Sequence, residues 1–321
     1  ERTPAAGLDE AEAASGVKPV EDRGAPRSIV AAPSVRHFAR EIGVDIGRVQ
    51  GSGPGGRVSI GDVKEHARRS RQAPAEAAGE PLPDLARWGE VEREPLSSVR
   101  RTIARRMAHS WRTAPHVTLD AEADVTDVEA VRQRYKARAQ GMGGNLTITA
   151  ILLKIAAAAL RRFPRANASL DEEDGSLVVR KYVNVGVAVD TERGLLVPVV
   201  RDADQKTILE LSVELAEMAE RARKGKLRPD DMQGGGFTLT NLGSFGVGTF
   251  PPILHPPEAV VLGIGRAKLR PVYVEGELKP RLVLPLSLSF DHRVLDGADG
   301  ARLLGFVVEA LESPLALAMG G

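Results

Sequence analysis

The sequence predicts an α+β fold, a layered domain of helices on a mixed sheet, preceded by a small helical module. Three observations carry this expectation. Apolar residues recur with a helical period in some segments and a two-residue period in others, without the strict alternation of a doubly wound sheet. Two segments rich in Ala, Pro and Glu, with few large apolar side chains, divide the chain. The whole is 42% hydrophobic and 27% charged over 321 residues, enough apolar material for a substantial core and too much for a disordered chain.

In chain order, residues 1–31 read as a flexible linker, because their composition cannot bury enough surface to offset ordering entropy. Residues 32–69 read as a mini-domain. Pro33 and Ser34 open a helical pattern with Val35, Phe38, Ala39 and Ile42 on one face, closed by Gly43. Val44, Ile46 and Val49 follow, then a glycine loop, then Val58, Ile60 and a second short helix holding Val63 and Ala67, with Asp62 near its start. A unit of this size without staples must depend on tight packing around a few aliphatics. Residues 70–93 read as a second linker, and 94–321 as the large domain.

Within the large domain, Val99, Ile103, Met107 and Trp111 recur every fourth position, which predicts an amphipathic helix. Residues 130–139 read as an exposed helix and 148–163 as a buried one stopped by Pro164. Residues 183–189 alternate Val with smaller or polar residues, turn at Arg193 and Gly194, and return through the apolar run 195–200, a long hairpin. Residues 208–222 are helical, 237–240, 259–264 and 282–290 are strands, and 301–311 is a closing helix.

Composition excludes several classes of function. Forty-four basic residues nearly cancel 43 acidic ones, so the net charge of +1 gives no global argument for nucleic acid or membrane partners. The absence of cysteine excludes disulfides, thiolate metal sites and a cysteine nucleophile, and fits a reducing compartment. The longest apolar stretch, 148–160, is broken by Lys154 and is shorter than the roughly 18 residues of a membrane span. The chain begins at Glu1 without an initiator Met or a basic-then-apolar leader, as a processed or partial chain would.

The loop Gly51-Ser52-Gly53-Pro54-Gly55-Gly56 matches a dinucleotide fingerprint literally. That fingerprint needs a preceding strand and a βαβ unit of about 30 residues, which a mini-domain between linkers cannot hold. A structural loop is the better reading. Around it the module is locally basic, through Arg36, Arg40, Arg48, Arg57, Lys64, Arg68 and Arg69, and either nucleic acid or an acidic protein surface would fit such a patch. Of the six histidines, no two have metal-ligand spacing. His37, His66 and His109 fit surface or packing roles, and His116 and His255 lie beside prolines where they could line a cleft. His292 differs, because it ends an apolar strand at a strand-to-helix junction, with Asp296 four residues on. Residues 237–243 read as a strand delivering hydroxyl and amide groups into a glycine turn. A base and a hydrogen-bond donor are the minimum for acyl transfer to a thiol or alcohol.

The segment from Ser287 through Asp291-His292-Arg293-Val294-Leu295-Asp296-Gly297 resembles the active-site signature of dihydrolipoamide acyltransferases, the core subunits of 2-oxo acid dehydrogenase complexes. The resemblance extends in order through Arg101 to Met107, Pro115-His116-Val117-Thr118, Val187 to Thr191 with Gly194-Leu195, Phe237 to Gly243, and Pro256-Pro257-Glu258-Ala259. The module resembles the family's peripheral subunit-binding domain, through Pro33-Ser34-Val35-Arg36, Gly43-Val44-Asp45, Gly56-Arg57-Val58 and Asp62-Val63. No lipoyl domain with its Asp-Lys-Ala hairpin is present, so it was removed or lies upstream.

The resemblance implies a chloramphenicol acetyltransferase-like core that forms trimers, with the active site between subunits. His292 would be the general base, the Thr240 hydroxyl the oxyanion donor, and Asp296 an architectural carboxylate paired with an arginine of residues 101–106. Coenzyme A and a lipoyl group carried elsewhere would be the acyl carriers, and Arg132 and Lys154 are candidates for coenzyme A phosphates. Arg36 and Arg57 match positions that pair with acidic residues of dihydrolipoamide dehydrogenase or the 2-oxo acid decarboxylase, which turns the basic patch toward protein. The segments Pro115 to Thr118 and Leu284 to Ser289 look more like acetyltransferases of pyruvate complexes than succinyl enzymes. A non-catalytic scaffold, a branched-chain or succinyl enzyme, and a free-standing acetyltransferase are the alternatives. The compartment would be the cytoplasm in a bacterium or the mitochondrial matrix in a eukaryote.

Overall fold

A computed structural model describes residues 31–42, 44–71, 82–192 and 194–313, so most of both expected linkers, the Gly43 stop and the turn residue Arg193 lie outside the described residues. The chain forms two compact units, Glu1–Arg93 and Glu94–Gly321.

The first unit contains α1 (Pro33–Glu41), a short 3-10 turn (Ile46–Arg48), the glycine loop and α2 (Ile60–Arg71). Val35, Ala39, Val49, Val58 and Val63 form its core, with Phe38, Ile42, Val44 and Ile46 packed against them. The loop is structural. Gly55 and Gly56 have φ of +69° and +75°, and a Cβ on Gly51 would lie 2.3 Å from the Gly56 carbonyl oxygen. Asp62 ties the loop to α2: its carboxylate accepts from the Ser52 hydroxyl at 2.6 Å, the Ser59 N–H at 2.8 Å and the Ser52 N–H at 3.1 Å. The Asp62 N–H returns a bond to the Ser59 hydroxyl at 3.2 Å, which caps the helix reciprocally.

The second unit contains, in order, α3 (Ser98–Thr113), β1 (His116–Asp124), α4 (Thr126–Gly141), α5 (Ile148–Arg162), β2 (Ala168–Asp171), β3 (Ser176–Val179), β4 (Val185–Val187), β5 (Val199–Val200), α6 (Ile208–Arg223), β6 (Phe237–Asn241), β7 (Val260–Ile264), β8 (Lys268–Val274), β9 (Glu277–Asp291) and α7 (Gly297–Glu312). The main sheet runs β1-β9-β7-β6-β4-β5, with β8 also on β9. β4, β6 and β7 are mutually parallel, and the remaining pairings are antiparallel.

Strand alternation gives this sheet two unlike faces. Leu284, Leu286, Leu288 and Phe290 of β9, Val260, Leu262 and Ile264 of β7, and Phe237 and Leu239 of β6 join one core with the buried faces of α5 and α7. The close approach of α7 depends on Gly300, where a Cβ would lie 2.4 Å from the Phe290 ring. The opposite face is polar. Thr118 and Ser289 share a hydrogen bond of 2.7 Å, and Ser287 donates to Asp120 at 2.5 Å. Thr238 donates at 2.6 Å to Glu258, a buried carboxylate.

Several sequence readings change in detail. The hairpin of 183–200 exists, but Pro198 lacks an amide donor and regular pairing shrinks to β4 and β5 with an isolated bridge between Val189 and Leu196. α3 forms as expected, yet its apolar stripe is not buried within the chain: Val99 and Trp111 are exposed, Trp111 by 63%, and Ile103 and Met107 are half-buried. The strand β1 and the β8 hairpin arm were not read from the sequence.

Candidate active site

His292 follows the last residue of β9, and its backbone is fixed from both sides. The Asp291 N–H donates to the Ala259 carbonyl at 2.9 Å, and the His292 N–H donates to the Pro115 carbonyl at 3.0 Å. Buried Asp291 accepts from the Arg293 guanidinium at Nε (3.0 Å) and Nη2 (2.7 Å), and Arg293 Nη1 reaches Glu172 at 2.5 Å. The Asp291 hydrogen bond, then that of Glu172, hold the Arg293 guanidinium well above its ordinary pKa, so it is a permanent cation. The His292 ring is exposed, with the Phe290 ring as its neighbour at 6.2 Å between centroids.

Asp296 takes a different partner from the one expected. Its carboxylate caps α7 by accepting from the Asp299 N–H at 2.7 Å, and no arginine of α3 is paired with it among the described residues. The physical reason is local: a carboxylate one residue before a helix satisfies an amide that has no partner within the helix.

Thr240 lies on β6, on the polar face of the sheet, half-buried, and among the described residues its hydroxyl has no hydrogen-bond partner. Its neighbour on β7 is Gly263, whose own neighbour on β9 is Ser287. The Phe250 ring covers Gly263, where a Cβ would come within 2.9 Å of it, and the Phe250 N–H donates to the Ser287 hydroxyl at 3.1 Å. His292 stands five residues beyond Ser287 and two strands from Thr240, so strand geometry puts the two roughly 20 Å apart in one chain. Within one chain the structure does not bring His292 and Thr240 together.

The two residues expected to hold coenzyme A phosphates have other jobs. Arg132 forks onto Glu129 with two bonds of 2.7 Å and donates to the Leu146 carbonyl at 2.9 Å. It lines a 300 Å³ cavity with Thr147, Asn241 and Ser244, but its charge is already neutralised there. Lys154 donates to the carbonyls of Asp204 and Lys206, both at 2.7 Å, and so pins a loop to α5. In the small unit Arg36 and Arg57 are both exposed.

His116, expected from its proline neighbour to line a cleft, has both ring nitrogens engaged. Its Nδ1 lies 2.7 Å from the Ala114 carbonyl oxygen, and its Nε2 accepts from the Leu254 N–H at 3.1 Å.

Comparison with known proteins adds to this geometry. Residues 89–319 match the family model of the 2-oxoacid dehydrogenases acyltransferase (catalytic domain), and residues 29–64 match that of the e3 binding domain. The chain belongs to this acyltransferase family. Among its relatives, the dihydrolipoyllysine-residue acetyltransferase component of the pyruvate dehydrogenase complex from Cupriavidus necator is 44% identical over 288 residues, 85% of this chain and 52% of that protein. The Bacillus subtilis component of the same name is 41% identical over 307 residues, 91% of this chain and 69% of that protein. The chain spans about half the length of the first-matched relatives. Among solved structures, the dihydrolipoamide acetyltransferase of Azotobacter vinelandii superposes with a TM-score of 0.72 at 44% identity, covering 74% of this chain and 98% of that one. The cubic core of a pyruvate dehydrogenase multienzyme complex also superposes at 0.72, with 43% identity and the same coverage. In the Azotobacter enzyme the residues probed for the catalytic mechanism are a serine, a histidine 52 positions later and an asparagine 4 beyond it. In this acyltransferase, Thr240, His292 and Asp296 have the same two separations.

Proposed function

We propose that this acyltransferase moves an acetyl group between dihydrolipoamide and coenzyme A, at a site assembled from two copies of the chain within a trimer. The carrying observation is the separation of Thr240 and His292 in a single chain. His292 has an exposed ring on a fixed backbone, and Thr240 a free hydroxyl on the polar sheet face. Their spacing repeats that of the histidine and serine of the Azotobacter enzyme, with threonine keeping the hydroxyl.

A substrate thiol with a pKa near 8.5 is only a few per cent thiolate at neutral pH. His292 of one copy takes the thiol proton as the sulfur attacks the thioester carbonyl of the other carrier, forming a C–S bond. Thr240 of the neighbouring copy donates to the oxygen that becomes negative. Collapse breaks the original C–S bond, and the departing thiolate recovers the proton from His292. Base assistance of this kind is worth about 10² to 10⁴ in rate, and one oxyanion donor about 2.7 to 4 kcal/mol. Asp296 orients the start of α7 just after His292.

The same reading gives the chain its partners. Copies of it form the core, as the relatives' names and the cubic-core likeness suggest, and the module docks a dehydrogenase or decarboxylase subunit through Arg36 and Arg57. The lipoyl group belongs to a domain beyond this sequence, and a bacterial member acts in the cytoplasm. The test is complementation. His292→Ala and Thr240→Ala each alone lose at least about 100-fold in acetyl transfer. Co-expressed in equal amounts and assembled at random, they recover about a quarter of wild-type sites, the fraction of interfaces at which an intact His292 meets an intact Thr240. Mixed trimers as inactive as either parent would overturn the shared site, and full activity of His292→Ala would overturn the base.

A further inference from the structure

Two segments hold the backbone on either side of the proposed base. Ala259, at the end of the 250–259 loop, accepts from the Asp291 N–H, and Pro115, just before β1, accepts from the His292 N–H. Within the sheet these two accepting carbonyls meet only through β9, since one lies just before β7 and the other just before β1. The His116 side chain joins them. A carbonyl oxygen only accepts and an amide N–H only donates, so the Ala114 contact requires a proton on Nδ1 and the Leu254 contact requires a bare Nε2. The ring is therefore the neutral Nδ1–H tautomer, with both nitrogens engaged.

The junction around it is well ordered by other contacts. Leu254 is buried with Ala114 and Val261. Its carbonyl accepts from the buried Ser110 hydroxyl at 2.8 Å, which brings in the last turn of α3. The Trp111 ring lies 5.2 Å from the imidazole. In the β1–β9 register His116 is the direct partner of Asp291, the residue before the base.

We propose that His116 is a positioning residue for His292: by accepting the Leu254 N–H on Nε2, with the Ala114 carbonyl orienting the ring, it ties the start of β1 to the 250–259 loop, the two segments that fix residues 292 and 291. This rests on the reading of His292 as the base. Without the His116 bond, the Ser110 bond and the apolar cluster still hold Leu254 to the end of α3, but the start of β1 loses its own tie to the loop and the His292 ring loses its aim, while the groups that bind the two acyl carriers stay in place. A misplacement of about 1 Å is enough to cost of order 10²-fold in a positioned reaction.

The experiment uses the assembled full chain and acetyl transfer between coenzyme A and dihydrolipoamide. A glutamine reaches the Nε2 position with an acceptor oxygen and keeps the Leu254 bond, whereas an asparagine reaches only the Nδ1 position and loses it. The expected result is a kcat within about threefold of wild type for His116→Gln, and a loss of at least about tenfold for His116→Asn and His116→Ala, with both KM values within twofold and particle size unchanged. Wild-type kcat in His116→Ala, or a His116→Gln variant that falls as far as His116→Asn, assembled or not, would overturn the proposal. If His116→Asn and His116→Ala fail to assemble, His116→Gln decides alone on the same criterion. His292→Ala run in parallel separates the two readings: retained transfer there removes the base itself, whereas its loss beside an unaffected His116→Ala removes only the positioning role.

Discussion

The Phe250 ring covers Gly263, the β7 neighbour of Thr240, and its amide is anchored on Ser287, which is itself hydrogen-bonded to Asp120. A ring held this firmly limits the length of an acyl chain whose carbonyl oxygen faces Thr240. Phe250→Ala should therefore raise kcat/KM for succinyl or branched-chain donors relative to acetyl by about 10-fold or more, since a methylene-sized change in an apolar pocket is worth about 1–3 kcal/mol. Side-by-side rates with the three donors check it, and an unchanged ratio would remove Phe250 from the pocket. At this scale the sequence is uneven as a guide. Thr240, His292 and Asp296, the residues proposed for the site, stand out in the sequence because each sits in a motif, Thr240 in residues 237–243 and the other two in residues 287–297. Arg132 and Lys154 are not, because a lone cation in a sequence does not reveal whether its donors are spent on Glu129 or on two loop carbonyls. His116 is visible as a letter in a motif, but its role depends on Leu254, 138 positions away.

Elements follow a similar division. The small module is held by five buried aliphatic side chains and by Asp62, so its persistence depends on one carboxylate. The Ser52 hydroxyl, then the Ser59 and Ser52 amides, hold Asp62 far below the usual carboxylate range. A folded-state pKa below the unfolded one contributes stability above about pH 3.9, and the contribution is lost as pH falls through the folded value. Hydrogen exchange on the full chain should show residues 31–71 protected at neutral pH, losing protection in acid, and Asp62→Ala should lose it already at neutral pH. Equal protection in Asp62→Ala would show that the aliphatic core suffices. Helices with strong periods, such as α5 and α6, and the apolar strands β7 and β9 were legible in the sequence, since burial on one face writes its period directly. β1 was not read, although Val117, Leu119, Ala121 and Ala123 alternate with Thr118, Asp120 and Glu122 in a strand period, because two of its four inward residues are alanines that carry little apolar signal. It becomes a strand because β9 offers it a full register from His116–Asp291 to Asp124–Val283.

At the scale of the whole molecule, the chain joins a unit of the acyltransferase catalytic family to one of the e3 binding family, and on the proposed reading the charge of each decides what it can meet. The net charge of +1 hides a basic module, in which cations differ in availability. Arg48 pairs with Asp45 at 3.7 Å and Lys64 lies over the Phe38 ring at 5.7 Å, while Arg57 is exposed beside the rigid glycine loop, with no ion pair among the described residues. Asp62, the nearest acid in sequence on α2, is spent on serines and does not cancel it. An arginine on a fixed loop loses little freedom on meeting a carboxylate and can grip it with two bonds. Arg57→Glu places a like charge against the acidic partner surface, so the dehydrogenase or decarboxylase subunit should bind about tenfold or more weakly at low ionic strength. The deficit should shrink as salt shortens the screening length to about 8 Å near physiological strength and less above it. Titration of the full assembled chain with the partner subunit at two salt concentrations measures both effects. Affinity equal to wild type at low salt would move the docking surface away from Arg57, and a deficit independent of salt would assign it to packing in place of charge.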